Sequence, residues 1–131
     1  MGFSWTRIYL LRVPPCHESQ QNLKLCIIFN FFSMQLLTKA IQDRFQKVGS
    51  QEHVDDPIII AKFFNPCGSG TWYATEYNPE DKIFFGYVTG FAFDEWGTFS
   101  LVDMESVKLP FGLGIERDIY FEEKRFSEVI K

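Results

Sequence analysis

Histidine is almost missing from this chain, with only His17 and His53 among 131 residues. No H-x-x-x-H pair exists to hold a metal, and imidazole acid–base chemistry within the main body of the chain would rest on His53 alone. Cysteine is also scarce. Cys16, Cys26 and Cys67 form no C-x-x-C, and an odd number of widely spaced thiols fits a reducing cytosol better than a disulfide scaffold. Cys67 stands beside Gly68 in an expected turn, with no histidine near it in sequence to activate it as a nucleophile. Long apolar runs are lacking: none reaches the roughly 18 residues of a spanning helix. Positive charge is short as well. With 13 Lys and Arg against 17 Asp and Glu, the net charge is −4, a balance that disfavours broad phosphate binding. Phosphate loops are missing too. Gly68-Ser69-Gly70 lacks the following Gly-Lys-Ser/Thr, and Gly112-Leu113-Gly114 lacks a third glycine and a following helix. No G-x-S-x-G occurs.

Aromatic rings are what the chain has in excess. Three Trp, five Tyr and fifteen Phe make 18% of the residues, against 23% charged, which excludes a disordered or fibrous chain. The length suits one domain.

Composition changes at Met34. Residues 1–33 carry Arg7, Arg12 and Lys24 against Glu18, a balance of +2, whereas 34–131 hold 10 basic and 16 acidic side chains, a balance of −6. The first part mixes Trp5, Tyr9, Pro14-Pro15 and a polar stretch, then runs into Leu23–Phe32, an apolar segment interrupted by Lys24 and Asn30. That run comes late and has no small-residue cleavage site behind it, so no secretory signal is expected. Met1-Gly2-Phe3-Ser4-Trp5-Thr6 fits the short myristoylation pattern, which chance often satisfies, and one acyl chain anchors only weakly.

Beyond Met34 the pattern is that of a single α+β domain over 34–131. Leu37, Ile41, Phe45 and Val48 recur at helical spacing, Thr38 can accept from a free N–H at the helix start, and Gly49 can end it. A linker, Ser50 to Asp56, closes at Pro57. Strands are expected over Ile58–Phe64, Thr71–Tyr77, Ile83–Phe91, Trp96–Leu101 and Ile119–Phe121. The turn clusters Asn65–Gly70 and Asn78–Asp81 separate the earlier ones. Short helical turns are expected at Asp103–Val107 and at Phe126–Ile130, the latter capped by Ser127. The whole reads as an antiparallel meander of four to five strands with an N-terminal amphipathic helix packed on one face. The opposite face then needs cover from the N-terminal segment, a partner chain or a ligand.

A resemblance follows from particular stretches. They include Leu36-Leu37-Thr38-Lys39, Asp56-Pro57-Ile58, Ala61-Lys62-Phe63-Phe64, Thr71-Trp72-Tyr73-Ala74-Thr75-Glu76 and Phe84-Phe85-Gly86-Tyr87-Val88. Further on come Glu95-Trp96-Gly97-Thr98-Phe99, Glu105-Ser106-Val107, Gly112–Phe121 and Phe126-Ser127-Glu128-Val129. In these, residues 34–130 resemble a bacterial family of unknown function met mainly on plasmids, conjugative elements and other mobile DNA. The resemblance implies a cytoplasmic, mobile-element-associated protein and supplies no catalytic residues. Similar proteins begin near Met34, so residues 1–33 read as an extension produced by a start codon assigned too early.

No catalytic residue, metal site or cofactor is expected. The best polar constellation is Glu116-Arg117-Asp118, with Glu76, Glu95 and Glu105 as neighbours: Arg117 can grip an anion beside a carboxylate base, or simply brace loop carboxylates. Trp72, Tyr73 and Trp96 can stack bases or anchor a protein. Trp72 and Tyr73 are adjacent on a strand and must point to opposite faces, so at most one is core. The leading expectation is a non-enzymatic protein-interaction module acting in counter-defence or maintenance, with Trp72, Tyr73, Glu76, Trp96, Glu116, Arg117 and Asp118 as candidate binding residues. The alternative is a nucleic-acid accessory protein using a local patch. A small enzyme on Glu116, Arg117 and Asp118 ranks third. No membrane partner is expected.

Overall fold

A computed structural model describes residues 35–130. The expectations placed on residues 1–33, including the acylation pattern and the Leu23–Phe32 run, lie outside the described residues.

Helix α1 (Lys39–Val48) forms where the apolar spacing puts it. The Thr38 hydroxyl accepts from Ile41 N–H at 3.3 Å, and Lys39 pairs with Asp43 one turn on at 2.7 Å. Gly49 ends the helix at φ 71°, ψ −155°, a conformation past the left-handed helical well that costs glycine little, and its N–H returns to Phe45 O. The buried stripe is the one the spacing marks. Phe45 is buried, with Leu37, Ile41 and Val48 packed beside it.

The strands are β1 (Ile58–Ile59), β2 (Ala61–Phe64), β3 (Thr71–Asn78), β4 (Ile83–Thr89), β5 (Glu95–Ser100), β6 (Glu116–Arg117) and β7 (Lys124–Arg125). Five of them form one antiparallel sheet in the order β5-β4-β3-β2-β6, while β1 and β7 make a two-stranded ribbon. The α+β reading and the meander therefore hold.

Several local expectations are corrected. Ile58–Phe64 is not one strand but two, divided at Ile60. Ile58 and Ile59 pair with β7, whereas Ala61–Phe64 pair with β3 and β6. The expected strand at Ile119–Phe121 is a turn, because Asp118 draws the chain round: its carboxylate accepts from Tyr120 N–H at 3.0 Å and its carbonyl from Phe121 N–H at 3.2 Å. Leu101 belongs not to β5 but to helix α2 (Leu101–Ser106), which Ser100 caps by accepting from Asp103 N–H. Ser127 does not cap the last helix, α3 (Phe126–Val129). Instead Asp56, distant in sequence, accepts from both Ser127 N–H (2.8 Å) and the Ser127 hydroxyl (2.7 Å).

One face of the sheet carries the core. Ala61, Phe63, Trp72, Ala74, Phe84, Val88 and Phe99 are buried there under Phe45, Leu101 and Met104. Phe84 is the hub, with ring centroids 4.7 to 5.7 Å from Tyr77, Phe63, Phe99 and Phe45. Beside it, Gly86 lets β3 and β4 approach closely: a Cβ there would stand 1.9 Å from Tyr73 O.

Candidate functional site

The outer face of the sheet is built by the residues that alternate with the core. Cross-strand pairing sets Lys62, Tyr73, Tyr87 and Trp96 side by side in one row, from β2 through β3 and β4 to β5. Lys62 lies 6.0 Å from the Tyr73 ring centroid and 3.3 Å from Asp118, so it is shared between a ring and a carboxylate. At the other end the rings cluster. Tyr87 meets Trp96 edge-on at 5.3 Å, Phe85 stacks on Trp96 at 5.8 Å and 18°, and Phe126 of α3 touches both Tyr87 (5.0 Å) and Trp96 (4.8 Å). Trp96 still leaves 36% of its surface exposed.

A β-bulge decides what stands beside this cluster. The β3–β4 register runs Ala74 opposite Gly86, then skips to Glu76 opposite Phe85, leaving Thr75 as the extra residue. Before the bulge the even-numbered positions Trp72 and Ala74 face the core. After it Tyr77 does, against Phe45 and Phe84. Glu76, which strict alternation would aim at the core, is turned to the outer face. The Thr75 hydroxyl donates to Phe85 O at 3.1 Å and closes the bulge.

Glu76 opens into a groove of about 330 Å³ between the sheet and the 51–57 loop, lined also by Glu52, Val54, Asp55, Phe85 and Trp96. The loop is held by Gln51, whose buried amide donates to Ile58 O (2.9 Å) and Thr75 O (2.8 Å) and accepts from Ile58 N–H (2.7 Å). Phe126 N–H donates to Pro57 O at 2.8 Å and fixes the loop's far end. Burial raises the Glu76 pKa above the ordinary carboxylate value. Hydrogen bonds from Gln51 N–H and the Ser50 hydroxyl offset part of that rise, and the charge of Glu52 adds to it.

The other sequence candidates are distributed as follows. Trp72 is fully buried, the largest side chain in the core to be so, with its indole N–H unpaired; Tyr73 is the surface member of that pair. Arg117 donates to the carbonyls of Gln35 and Leu36, tying β6 to the segment leading into α1. Arg117 and Asp118 share a second hollow, of about 540 Å³, with Ile41, Ile60, Ile119 and Phe121. Glu116 pairs across to Phe64 on the edge strand. The structure thus brings Glu76 and Trp96 into one groove and keeps Arg117 and Asp118 in another. Gln51, Asp55 and Phe85 belong to the first groove, and sequence reasoning did not single them out. A lone amide in a linker carries no local signal of the strands it will join. Among the described residues no group of three or more His, Cys, Asp or Glu is placed to hold a metal. No helix among them is long and apolar enough to cross a membrane.

The architecture is that of an α+β protein with an antiparallel sheet, one face core and the other bearing an aromatic row beside an acidic groove. The chain belongs to the family described as protein of unknown function (DUF2958), whose model matches residues 34–130. No curated protein and no solved structure matches the chain.

Proposed function

We propose that this protein is a non-enzymatic protein-interaction module that docks a partner protein on the outer face of its sheet. The observation that carries the reading is the row Tyr73–Tyr87–Trp96 running into an open groove beside a half-exposed tryptophan. Tyrosine and tryptophan in such settings are the residues that dominate protein–protein binding energy, since they bury large area at small entropic cost. The resemblance to proteins of plasmids and conjugative elements supports a cytoplasmic role in counter-defence or maintenance of mobile DNA. Nucleic acid is the weaker reading, because the carboxylates of Glu52, Asp55 and Glu76 line the groove beside Trp96 and repel phosphate.

The test is affinity capture from the native host with the wild-type chain and with Trp96→Ala, folding being checked by circular dichroism. A protein retained by the first and lost by the second is the expected result. Identical captures by both, or loss of the captured species on nuclease treatment, overturns the reading.

A further inference from the structure

The groove between Trp96 and the 51–57 loop has a chemistry that selects its occupant. Among the described residues its charged lining is Glu52, Asp55 and Glu76, with no basic side chain. Of the side-chain donors there, those of Gln51 and Thr75 are already engaged, which leaves the Trp96 indole N–H. The Gln51 amide nitrogen gives both its hydrogens to Ile58 O and Thr75 O, and the Thr75 hydroxyl gives its hydrogen to Phe85 O. What the side chains offer is therefore mainly the acceptor capacity of three carboxylates, because an ionised carboxylate accepts and cannot donate. The Glu76 carboxylate takes bonds from Gln51 N–H and the Ser50 hydroxyl, and two carboxylate oxygens have room for more. One side is aromatic, lined by Phe85 and Trp96, which stack on each other at 5.8 Å and 18°.

An occupant that complements this lining brings several donors and a positive charge. A guanidinium has both, and an apolar planar face suited to aromatic neighbours. It forks onto carboxylates in two-point fashion, stacks on an indole, and is more weakly hydrated than an ammonium, so that it gives up water more readily in a half-closed groove. The volume of about 330 Å³ lies at the small end of ligand sites and has room for one side chain. We infer that the groove is a socket for a single arginine side chain presented by the partner protein. This rests on the reading of the outer face as a protein-docking surface and names the partner residue that seats there. The socket is prepared before binding: Gln51 holds the loop to β1 and β3, and the Phe126–Pro57 bond holds its far end, so little has to be ordered when the arginine arrives.

The experiment is a titration of the full chain, labelled with ¹⁵N, with Nα-acetyl-arginine amide. The citrulline and lysine counterparts, the first of the same shape but uncharged, are the comparison probes. Saturable shifts of the Trp96 indole N–H and the Gln51 side-chain amide are expected with the arginine probe, in the millimolar range of a lone side chain. The citrulline probe is expected to leave both signals in place. Glu76→Gln and Asp55→Asn should each weaken binding about fivefold, the effect of one partly screened charge contact. Asp43→Asn, on the exposed side of α1, should change nothing. Asp55 is exposed, so its variant tests the idea even if Glu76→Gln folds poorly.

Equal shifts with citrulline, equal or tighter binding of lysine, or indifference to both groove variants overturns the arginine socket. A captured partner that depends on Trp96, combined with silence of the groove toward arginine, removes the socket and leaves the docking surface. Arginine binding without any captured partner does the reverse.

Discussion

The two faces of one sheet use the same residue types for opposite ends. On the inner face Phe84 touches four rings and is wholly buried; on the outer face Trp96 touches three and stays 36% exposed. The inner rings are closed over by α1 and α2. The outer rings are only partly covered by Phe126, and carboxylates stand beside them in the groove. Aromatic enrichment by itself therefore says nothing of function. What distinguishes the faces is how fully helices cover the rings and whether charge stands next to them.

Three substitutions sharpen this contrast. The largest effect belongs to Phe84→Ala, which removes the shared neighbour of Tyr77, Phe63, Phe99 and Phe45. Chemical denaturation should show a loss of about 3–5 kcal/mol, the range for deleting a buried ring. Trp96→Ala removes a larger side chain from the other face, yet should cost less, roughly 1–2 kcal/mol, because much of its surface is already in water. If the two losses were equal, the outer cluster would be a second core and not a surface.

The smallest effect is electrostatic. Burial raises the pKa of Glu76 in the folded chain, so the folded state holds its proton to higher pH than the unfolded state does. Stability contributed by this group is thus present below the ordinary glutamate range and is lost as pH rises through the raised value. Glu76→Gln should match the wild type in acid and melt slightly higher near neutral pH, which paired thermal melts across that range would show. Asp56 works the other way. The hydrogen bonds from Ser127 lower its pKa, so its contribution is present above the ordinary aspartate value and fades as pH falls. The difference between variant and wild type, and not the wild-type profile alone, isolates Glu76.

Much of the inner face was legible in the sequence, because its signals are local. The Leu37, Ile41, Phe45 and Val48 spacing, the Thr38 cap and the turn clusters at Asn65–Gly70 and Asn78–Asp81 each speak for their own neighbourhood. The outer face was legible only in pieces. Tyr73, Glu76 and Trp96 stood out by residue type, but their assembly depends on contacts that span the chain. Gln51 reaches Thr75, Asp56 caps a helix at Ser127, and Phe126 lands on Tyr87. The error at Ile119–Phe121 has a related cause. Its β-rich composition was outweighed by one carboxylate, Asp118, bonding back to the chain just ahead of it.

The bulge at Thr75 carries a genetic consequence. Thr75 is the one extra residue between the Ala74–Gly86 and Glu76–Phe85 pairs, so the bulge itself is the work of a single codon. Loss of that codon in frame would leave Ala74 opposite Gly86 and the glutamate opposite Phe85 in an unbroken ladder, with Glu76 still outward and Tyr77 still inward. It would remove the Thr75 hydroxyl that bonds Phe85 O and the Thr75 carbonyl that takes the Gln51 amide. The two faces would thus keep their phase through such a deletion, and the cost would fall on the 51–57 loop, which would lose the anchor that Gln51 makes to Thr75.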